Sequence, residues 1–244
     1  RQDLTKEIQE TAADMVFRED PESVLFFAVH PDFSEGVVGL AASRLVESYY
    51  RPAVVGHQGE TFTVASCRSI PEFHITRALD ECADLLVRHG GHAAAAGFTV
   101  RNENRNALVV KLREIAAAQL GEMELLPELK IDRKIKLDKL SGKFIGGILE
   151  DIHKLEPTGR GNPEPVFASY DVEVRYARTV GREHNHLKMT LQAGANTFDA
   201  IAFRQGYWRE EMPERIDLVY RFEINEFNGR SNLQLNVKDI KAAE

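Results

Sequence analysis

The chain has 244 residues, of which 43% are hydrophobic and 28% are charged, and its formal net charge is −7. This balance is typical of a globular protein and excludes an intrinsically disordered one, and the length is sufficient for two domains that each bury a core. The negative charge argues against a general polyanion binder, because nonspecific nucleic-acid binding depends on neutralising phosphates, so any such surface must be local.

No apolar stretch of the sequence approaches the roughly 20 residues of a membrane helix, so we expect no membrane association and a cytoplasmic location. Cys67 and Cys82 are the two cysteines of the chain, and they form no CxxC pair. No histidine stands at metal-ligand spacing from them, so neither a disulfide framework nor a zinc site is indicated. We expect two ordinary buried thiols.

The first half of the sequence predicts a helix followed by a mixed α/β domain. Residues 1–16 show helical spacing, with Leu4, Ile8 and Ala12 on one stripe. Because this helix begins at Arg1 without a methionine, we expect residues 1–20 to be a helix that connects to a preceding domain; the family resemblance described below implies that this is a DHH domain. The domain that follows is expected over residues 21–121, with strands at 24–29, 53–55, 61–66 and 98–100 and helices at 35–51, 75–87 and 107–120.

The second half predicts a β-rich domain over residues 128–244, after a linker at 121–127. It begins with a helix at 144–155 and a loop rich in proline and glycine. Asn228-Gly229 is typical of a two-residue hairpin turn. Five strands and one helix favour a small closed barrel of the OB-fold type over a sandwich. The strands are predicted at 166–179, 186–192, 197–203, 216–227 and 232–240.

The most informative motif is Gly90-Gly91-His92, which four alanines and Gly97 follow. Two glycines allow backbone conformations closed to other residues, so successive N–H groups could turn toward one anion at the start of a helix. His92 could then add a hydrogen bond to a phosphoryl oxygen. The same residues also fit a glycine helix end followed by a tightly packed helix of small residues, and the sequence leaves both interpretations open.

Ser66-Cys67-Arg68-Ser69 stands at the end of a predicted strand. The period of two places Ser66 and Arg68 on one face, where a hydroxyl and a guanidinium could fork onto a phosphate. A surface arginine with turn serines is the ordinary alternative. The neighbouring glycine motif is what favours the phosphate site.

Two further groups of residues have the residue types of metal-binding or nuclease motifs, but their spacing and position do not suit such a site. His30, Asp32 and Glu35 lie on a loop that enters a helix, where Ser34 suits an N-terminal cap better than these residues suit a metal site. His184-Asn185-His186 is expected to form a turn between strands. No metal-binding residue is therefore predicted in this chain.

The second domain carries basic and aromatic residues of the kind with which barrels hold single strands. We assign Lys130, Arg133, Lys134 and Lys136 to the guidance of a nucleic-acid strand through its phosphates. Some of the rings must instead belong to the core. The aromatic candidates along the strands are Tyr170, Tyr176, Phe198, Phe203, Tyr207, Trp208 and Phe222.

Together these segments resemble the RecJ family of DHH phosphoesterases. HPDFSEGVVGLAASRLVESYYRPAVV is similar to the opening of its DHH-associated domain, and ASCRSIPEFHITRALDECADLLVRHGGHAAAAGF is similar to the substrate-binding half of that domain. EPTGRGNPEPVF, with the strands that end in NEFNGRSNLQLNVKDI, resembles its OB-fold. The resemblance implies an α+β chain in which a DHH-associated mixed α/β domain precedes an OB-fold β-barrel domain.

The resemblance also implies a function, namely the substrate-binding portion of a 5′-to-3′ single-stranded DNA exonuclease of recombination and repair. The family binds two Mn²⁺ or Mg²⁺ ions through a domain with an Asp-His-His motif, and this sequence has no such motif. We therefore expect the chain alone to be inactive and to hold no metal. By motif match, Ser66, Arg68 and Ser69 would contact phosphates near the 5′ end. The residues that would face the scissile phosphate, with His92 in an assisting role, are Gly90, Gly91 and His92.

Two positions depart from the family pattern. Phe33-Ser34 stands where the family commonly has Trp-His, so an imidazole near the cleft is missing. Cys67 stands where glycine or alanine is usual, which could crowd the strand.

Two other functions stay open at this point. A non-catalytic single-strand nucleic-acid-binding or scaffold protein would keep the substrate-binding surface without the metal domain. An oligonucleotide or cyclic-dinucleotide phosphodiesterase of the same family would process short substrates and need no barrel to guide a long strand. As partners we expect single-stranded DNA and a single-strand-binding protein, and we expect a monomer.

Overall fold

The computed structural model describes residues 2–140, 147, 150–159, 161–227 and 230–243. They divide into two units, Arg1–Glu128 and Leu129–Glu244. Among the described helices, none combines the length and the apolar character that crossing a membrane requires.

The first unit is built on one five-stranded sheet with the strand order β1-β2-β3-β5-β4. β1 and β2 run parallel because α2 connects them as a crossover, and the other pairs are antiparallel. The elements are α1 Gln2–Glu19, β1 Phe26–His30, α2 Glu35–Tyr49, β2 Ala53–Gln58, β3 Phe62–Arg68, α3 Ile75–Asp80, β4 Leu86–His92, β5 Ala95–Arg101 and α4 Arg105–Leu120.

Helices cover the two faces of this sheet unequally. On one face, α1 and α2 pack over β1 and β2, where Phe26, Ala28 and Val55 are buried. On the other face, α3 and α4 pack over a core that includes Val54 and Phe98 and extends across the strands from β1 to β5. The first face of β4 and β5 therefore has no helix over it.

One predicted helix and the glycine motif differ from the structure. The helix predicted at 75–87 ends at Asp80, and Leu86–His92 form strand β4. The alanines after His92 belong to a turn and to strand β5, not to a helix. Alanine favours helices by less than about 1 kcal/mol per residue, and the pairing of β4 with β5 outweighs that local preference.

The N-terminus of α2 also differs in detail from the prediction. Ser34 is the N-cap residue, but its hydroxyl makes no capping hydrogen bond. Its carbonyl oxygen instead accepts hydrogen bonds from the N–H groups of Val37 and Val38. Phe33, which departs from the family pattern, is buried, and its carbonyl lies 2.9 Å from His57 Nδ1.

The second unit is a closed five-stranded barrel, as predicted. The strands close in the order β7-β8-β9-β11-β10 and back to β7, and β9 and β11 are parallel. This is the topology of an OB-fold, and β6 adds a short parallel pair beside β7. The strands are β6 Arg133–Lys134, β7 Phe167–Val180, β8 His186–Ala193, β9 Asn196–Ala202, β10 Arg215–Phe227 and β11 Arg230–Ala242.

Alternation along the barrel strands separates the core from the surface. Leu187, Met189 and Leu191 of β8 point inward and are fully buried. Tyr220 is also buried, its hydroxyl lies 2.9 Å from Ser169 Oγ, and burial raises the pKa of Tyr220 to about 12. The predicted turn at Asn228-Gly229 and most of the predicted helix segment at 144–149 lie outside the described residues, while residues 150–153 are helical.

We predict that neither cysteine reacts with an aromatic disulfide reagent at pH 8 while the chain is folded. Both side chains are buried, and burial raises the pKa of Cys67 to about 12 and that of Cys82 to about 11. A raised pKa keeps each group in the unreactive thiol form. Absorbance should show no released thiolate until denaturant unfolds the chain, when two equivalents appear; fast release from the native chain would contradict the buried positions.

Candidate nucleic-acid interface

Strand register brings the two predicted phosphate-binding segments onto one face of the first sheet. Arg68 of β3 pairs with Ala95 of β5, which pairs with His92 of β4. Ser66 pairs in the same way with Gly97, and Gly97 pairs with Gly90. Directly opposite residues of antiparallel strands project to the same face. We call this surface the open face, and it comprises Ser66, Arg68, Arg88, Gly90, His92, Ala95, Gly97 and Thr99.

Arg68 is held in place at the border between the open face and α2. Its Nε donates a hydrogen bond to Ser43 Oγ at 3.1 Å, and its Nη1 donates one to the carbonyl of Cys67 at 2.8 Å. A Cβ on Gly39 would lie 3.3 Å from Nη2, so this glycine leaves room for the guanidinium. No carboxylate contacts Arg68 among the described residues. The result is a fixed cation that can accept an external anion.

Ser69 does not reach the open face. Its side chain is buried, and its hydroxyl donates a hydrogen bond to the carbonyl of Phe73 at 2.6 Å. Its backbone N–H bonds the carbonyl of Ala94 at 2.9 Å. The structure therefore places Ser69 in the turn that supports the hairpin, and Ser66 and Arg68 at the surface.

The two glycines of the motif have different physical roles. Gly91 has φ of +150°, and a Cβ there would overlap the backbone of Ala95 and lie 2.8 Å from the Cβ of Ala96. Gly90 has no positive φ, and a Cβ there would meet nothing within 4 Å. The fold thus requires glycine at 91 but not at 90. At position 90, the missing side chain leaves open space above the sheet.

His92 ends β4, the edge strand of the sheet, with an exposed side chain. Its carbonyl accepts a hydrogen bond from Thr76 Oγ1 at 2.8 Å, which fixes the backbone. Both interpretations that the sequence left open placed a helix at this motif, and both are wrong in that respect, because these residues form a hairpin and no helix dipole acts there. An accessible imidazole beside small residues remains.

The three strands under the open face are free of carboxylates. β3, β4 and β5 contain no Asp or Glu, although the chain has 38 acidic residues. The same strands contain three arginines and two histidines, of which His89 lies 2.8 Å from Asp80. A negatively charged chain thus presents one local surface suited to an anion. Sequence analysis missed this signal because it depends on which three strands are adjacent.

The described residues bring no three His, Cys, Asp or Glu side chains together as a metal site requires. His30 and Asp32 approach to 3.6 Å without a third ligand. His184 and Asn185 lie in the turn between β7 and β8, as predicted. No step of metal-dependent chemistry is therefore assigned to these residues.

The predicted basic residues of the second unit, Lys130, Arg133, Lys134 and Lys136, are all exposed. The Nζ atom of Lys134 lies 4.9 Å from the centre of the Tyr170 ring, and Tyr170 is 50% exposed. Their neighbours include Asp171, whose pKa is lowered by its hydrogen bond to Arg215. Basic and acidic side chains are thus mixed on this side of the barrel.

A second surface of the barrel was not singled out by the sequence. Arg178 of β7 pairs with Lys188 of β8, and the next outward position of β7 is Tyr176, which is 58% exposed. Phe203, 51% exposed, packs edge-on against His186 with ring centres 5.2 Å apart. OB-folds bind oligonucleotides over their second and third strands, here β8 and β9. We call this surface the barrel face, and it comprises Tyr176, Arg178, His186, Lys188 and Phe203.

The remaining aromatic candidates differ in exposure. Phe198 is buried and cannot stack on a bound base, while Phe222 and Trp208 are partly buried and pack against the core. Tyr207 is 69% exposed.

Comparison with known families and proteins gives a consistent result. The DHHA1 domain family matches residues 22–118, and the RecJ OB domain family matches residues 131–239. The single-stranded-DNA-specific exonuclease RecJ of Bacillus subtilis is 31% identical over 248 residues, which cover 100% of this chain and 31% of that protein. The Haemophilus influenzae protein of the same name is 31% identical and covers 93% of this chain and 40% of its own length.

A solved structure supports the same assignment. The crystal structure of RecJ in complex with Mg²⁺ from Thermus thermophilus matches 100% of this chain and 36% of that chain, with a TM-score of 0.79 and 25% identity. The chain therefore spans about a third of the length of the relatives that it matches.

Substitution of the two glycines of the motif should change the stability of the first unit by different amounts. Gly91→Ala should destabilise the first unit by about 1–3 kcal/mol, since alanine is strained at this φ and its methyl overlaps β5. Gly90→Ala should change stability by less than about 0.5 kcal/mol. Chemical denaturation followed by circular dichroism measures both, and equal stabilities of the two variants would refute the distinction.

Proposed function

Because the chain belongs to the RecJ family, of which it carries the DHHA1 and OB domains, we propose that it is the substrate-binding part of a 5′-to-3′ single-stranded DNA exonuclease. The relatives that it matches are named single-stranded-DNA-specific exonucleases. We further propose that the complete enzyme acts in DNA recombination and repair.

The observation that carries this proposal is the open face. Arg68 and His92 flank a floor made of Gly90, Ala95 and Gly97, none of which has a bulky side chain. A sugar–phosphate backbone can approach such a floor closely, and a guanidinium can fork onto its phosphate oxygens. Ser66, at the edge of the floor, supplies a hydroxyl to the same phosphate.

Within this proposal, each residue has a distinct role. Arg68 and Ser66 bind a phosphate near the 5′ end, and Ser69 and Gly91 hold the hairpin that presents the motif. His92 donates a hydrogen bond to an oxygen of the scissile phosphate. Because these groups bind phosphate oxygens and not base edges, they hold the strand without reading its sequence.

Hydrolysis itself is proposed to require a two-metal centre from a part of the protein outside this chain. Crystal structures of Thermus thermophilus RecJ are known in complex with Mg²⁺ and in complex with Mn²⁺. A metal pair of that kind would supply Lewis-acid stabilisation of the attacking and leaving oxygens. This chain would hold the strand in position, and alone it would be inactive. The helix α1, with residues 1–20, is the proposed connection to the catalytic domain.

The barrel is proposed to guide the remainder of the strand. The barrel face combines two exposed rings with Arg178 and Lys188, so bases can stack while phosphates are neutralised. The basic residues Lys130, Arg133, Lys134 and Lys136 are a second candidate for the same task. We also propose that the protein is cytoplasmic and monomeric and that a single-strand-binding protein is one of its partners.

The test of the proposal is binding of a labelled single-stranded oligonucleotide, followed by fluorescence anisotropy. The chain should prefer single strands to duplex, and affinity should fall as salt rises because several phosphates are engaged. Arg68→Ala should weaken binding by about tenfold or more, since a hydrogen bond to a charged group contributes about 1.5–3 kcal/mol. Gly90→Val should weaken it as well, while leaving the fold intact, because its side chain fills the open space.

Arg77→Ala is the matched control, because Arg77 is an exposed arginine of α3, on the other side of the sheet. Equal affinity for duplex and single strand, or no binding at low salt, would contradict the proposal. Tighter binding of a dinucleotide than of a longer oligomer would favour the alternative of a phosphodiesterase for short substrates.

The barrel gives a separate prediction that distinguishes its two surfaces. If the barrel face stacks bases, Tyr176→Ala and Phe203→Ala should each weaken binding of a long oligonucleotide by about 1–3 kcal/mol. Tyr170→Ala, which removes an equally exposed ring beside Lys134, is the comparison variant. A loss with Tyr170→Ala alone would move the binding surface to the basic residues. No loss with any of the three variants would exclude stacking on the barrel.

A further inference from the structure

Arg88 is a cation of the open face that neither the motif nor the proposed function has assigned. It lies on β4 two residues before Gly90 and pairs with Thr99 of β5. Its side chain is exposed, and no carboxylate contacts it among the described residues.

The setting of Arg88 repeats that of Arg68. Nε of Arg88 donates a hydrogen bond to Thr99 Oγ1 at 3.1 Å, as Nε of Arg68 does to Ser43 Oγ at 3.1 Å. Thr99 is 8% exposed, so its hydroxyl is a firmly placed acceptor. In both cases a hydroxyl fixes the guanidinium at Nε. Nη1 of Arg68 also bonds the Cys67 carbonyl, whereas the terminal nitrogens of Arg88 make no hydrogen bond to the described residues and can bind an anion.

The spacing of Arg88 and His92 suits successive contacts with one strand. Arg88 and His92 are four residues apart on β4, which corresponds to about 13 Å along the strand. Between them lies Gly90, where no side chain projects above the sheet. One phosphate cannot touch both positions, but a single extended polyanion can pass over Gly90 and reach both.

We infer that Arg88, positioned by Thr99, is a further phosphate-binding residue of the open face, and that it binds a phosphate other than those proposed for Arg68 and for His92. This inference rests on the proposed function. It extends the contact with the nucleic acid along β4 toward Leu86, the first residue of that strand. Arg88 makes the contact itself, and Thr99 is a positioning residue.

The experiment measures affinity for a single-stranded octanucleotide as a function of salt, with the whole 244-residue chain. Arg88→Gln should weaken binding by about tenfold at low salt. It should also reduce the slope of log affinity against log salt by about 0.7, which corresponds to one phosphate contact on a single strand. Arg77→Gln removes the same charge on the other side of the sheet and should change neither quantity.

Two further variants separate a binding role from a structural one. Arg88→Lys keeps the charge without the planar fork, so it should retain the salt slope and lose only part of the affinity. Thr99→Val leaves the charge of the chain unchanged and should weaken binding less than Arg88→Gln. Circular dichroism at the assay temperature verifies that each variant is folded, and a purely structural role would alter the unfolding midpoint without altering the salt slope.

The outcomes distinguish the inference from its premise. If the unsubstituted chain does not bind the octanucleotide, the proposed function fails. If it binds, and Arg68→Ala weakens binding while Arg88→Gln behaves like Arg77→Gln, then the proposed function stands. The phosphate contact inferred for Arg88 is then refuted.

Discussion

The pairing register of β3, β5 and β4 determines which side chains of the first sheet reach solvent. A slip of one residue in any of these pairs would exchange the two faces of a strand. Cys67 and Ala65 of β3, with Phe98 and Val100 of β5, are buried against α3 and α4 and so hold the register in place. Because those residues must point inward, their neighbours Ser66 and Arg68 must point to the opposite face. The burial of these core residues therefore determines where Ser66 and Arg68, the residues proposed to bind an anion, are placed.

The sequence predicted the elements in which local pattern and final structure agree. Alternation along β3 placed Ser66 and Arg68 on one face, and the five barrel strands followed from turn residues and alternation. It failed between Glu81 and Gly97, where apolar residues at helical spacing and a run of alanines favour helix locally. Strand β4 exists because β5 pairs with it, and the sequence of one segment does not reveal a partner that follows a turn. For the same reason the sequence did not indicate a role for Arg88, because Thr99 is its neighbour only in the folded sheet. Nor did it indicate that Ser69 is buried.

The overall charge and the local charge of the chain act at different distances. A net charge of −7 repels a nucleic acid at long range, but that field is screened within about 8–10 Å at physiological salt. Inside that distance the proposed ligand would meet β3, β4 and β5, which carry no carboxylate. On the proposed function, recognition would therefore depend on contact and not on long-range attraction. A basic protein would bind polyanions over much of its surface, whereas the open face is a local surface whose strands lack acidic residues.

Three glycines on or beside the open face differ in what requires them. Gly91 is required by the backbone, because its φ and the closeness of β5 exclude any side chain. Gly39 is required by packing, since a Cβ there would press on the Arg68 guanidinium. Neither cause applies to Gly90, where an added Cβ would meet nothing within 4 Å. A glycine that costs conformational entropy and gains the fold nothing points to a need outside the folded chain, and an approaching ligand backbone is the need that its position above the sheet can meet.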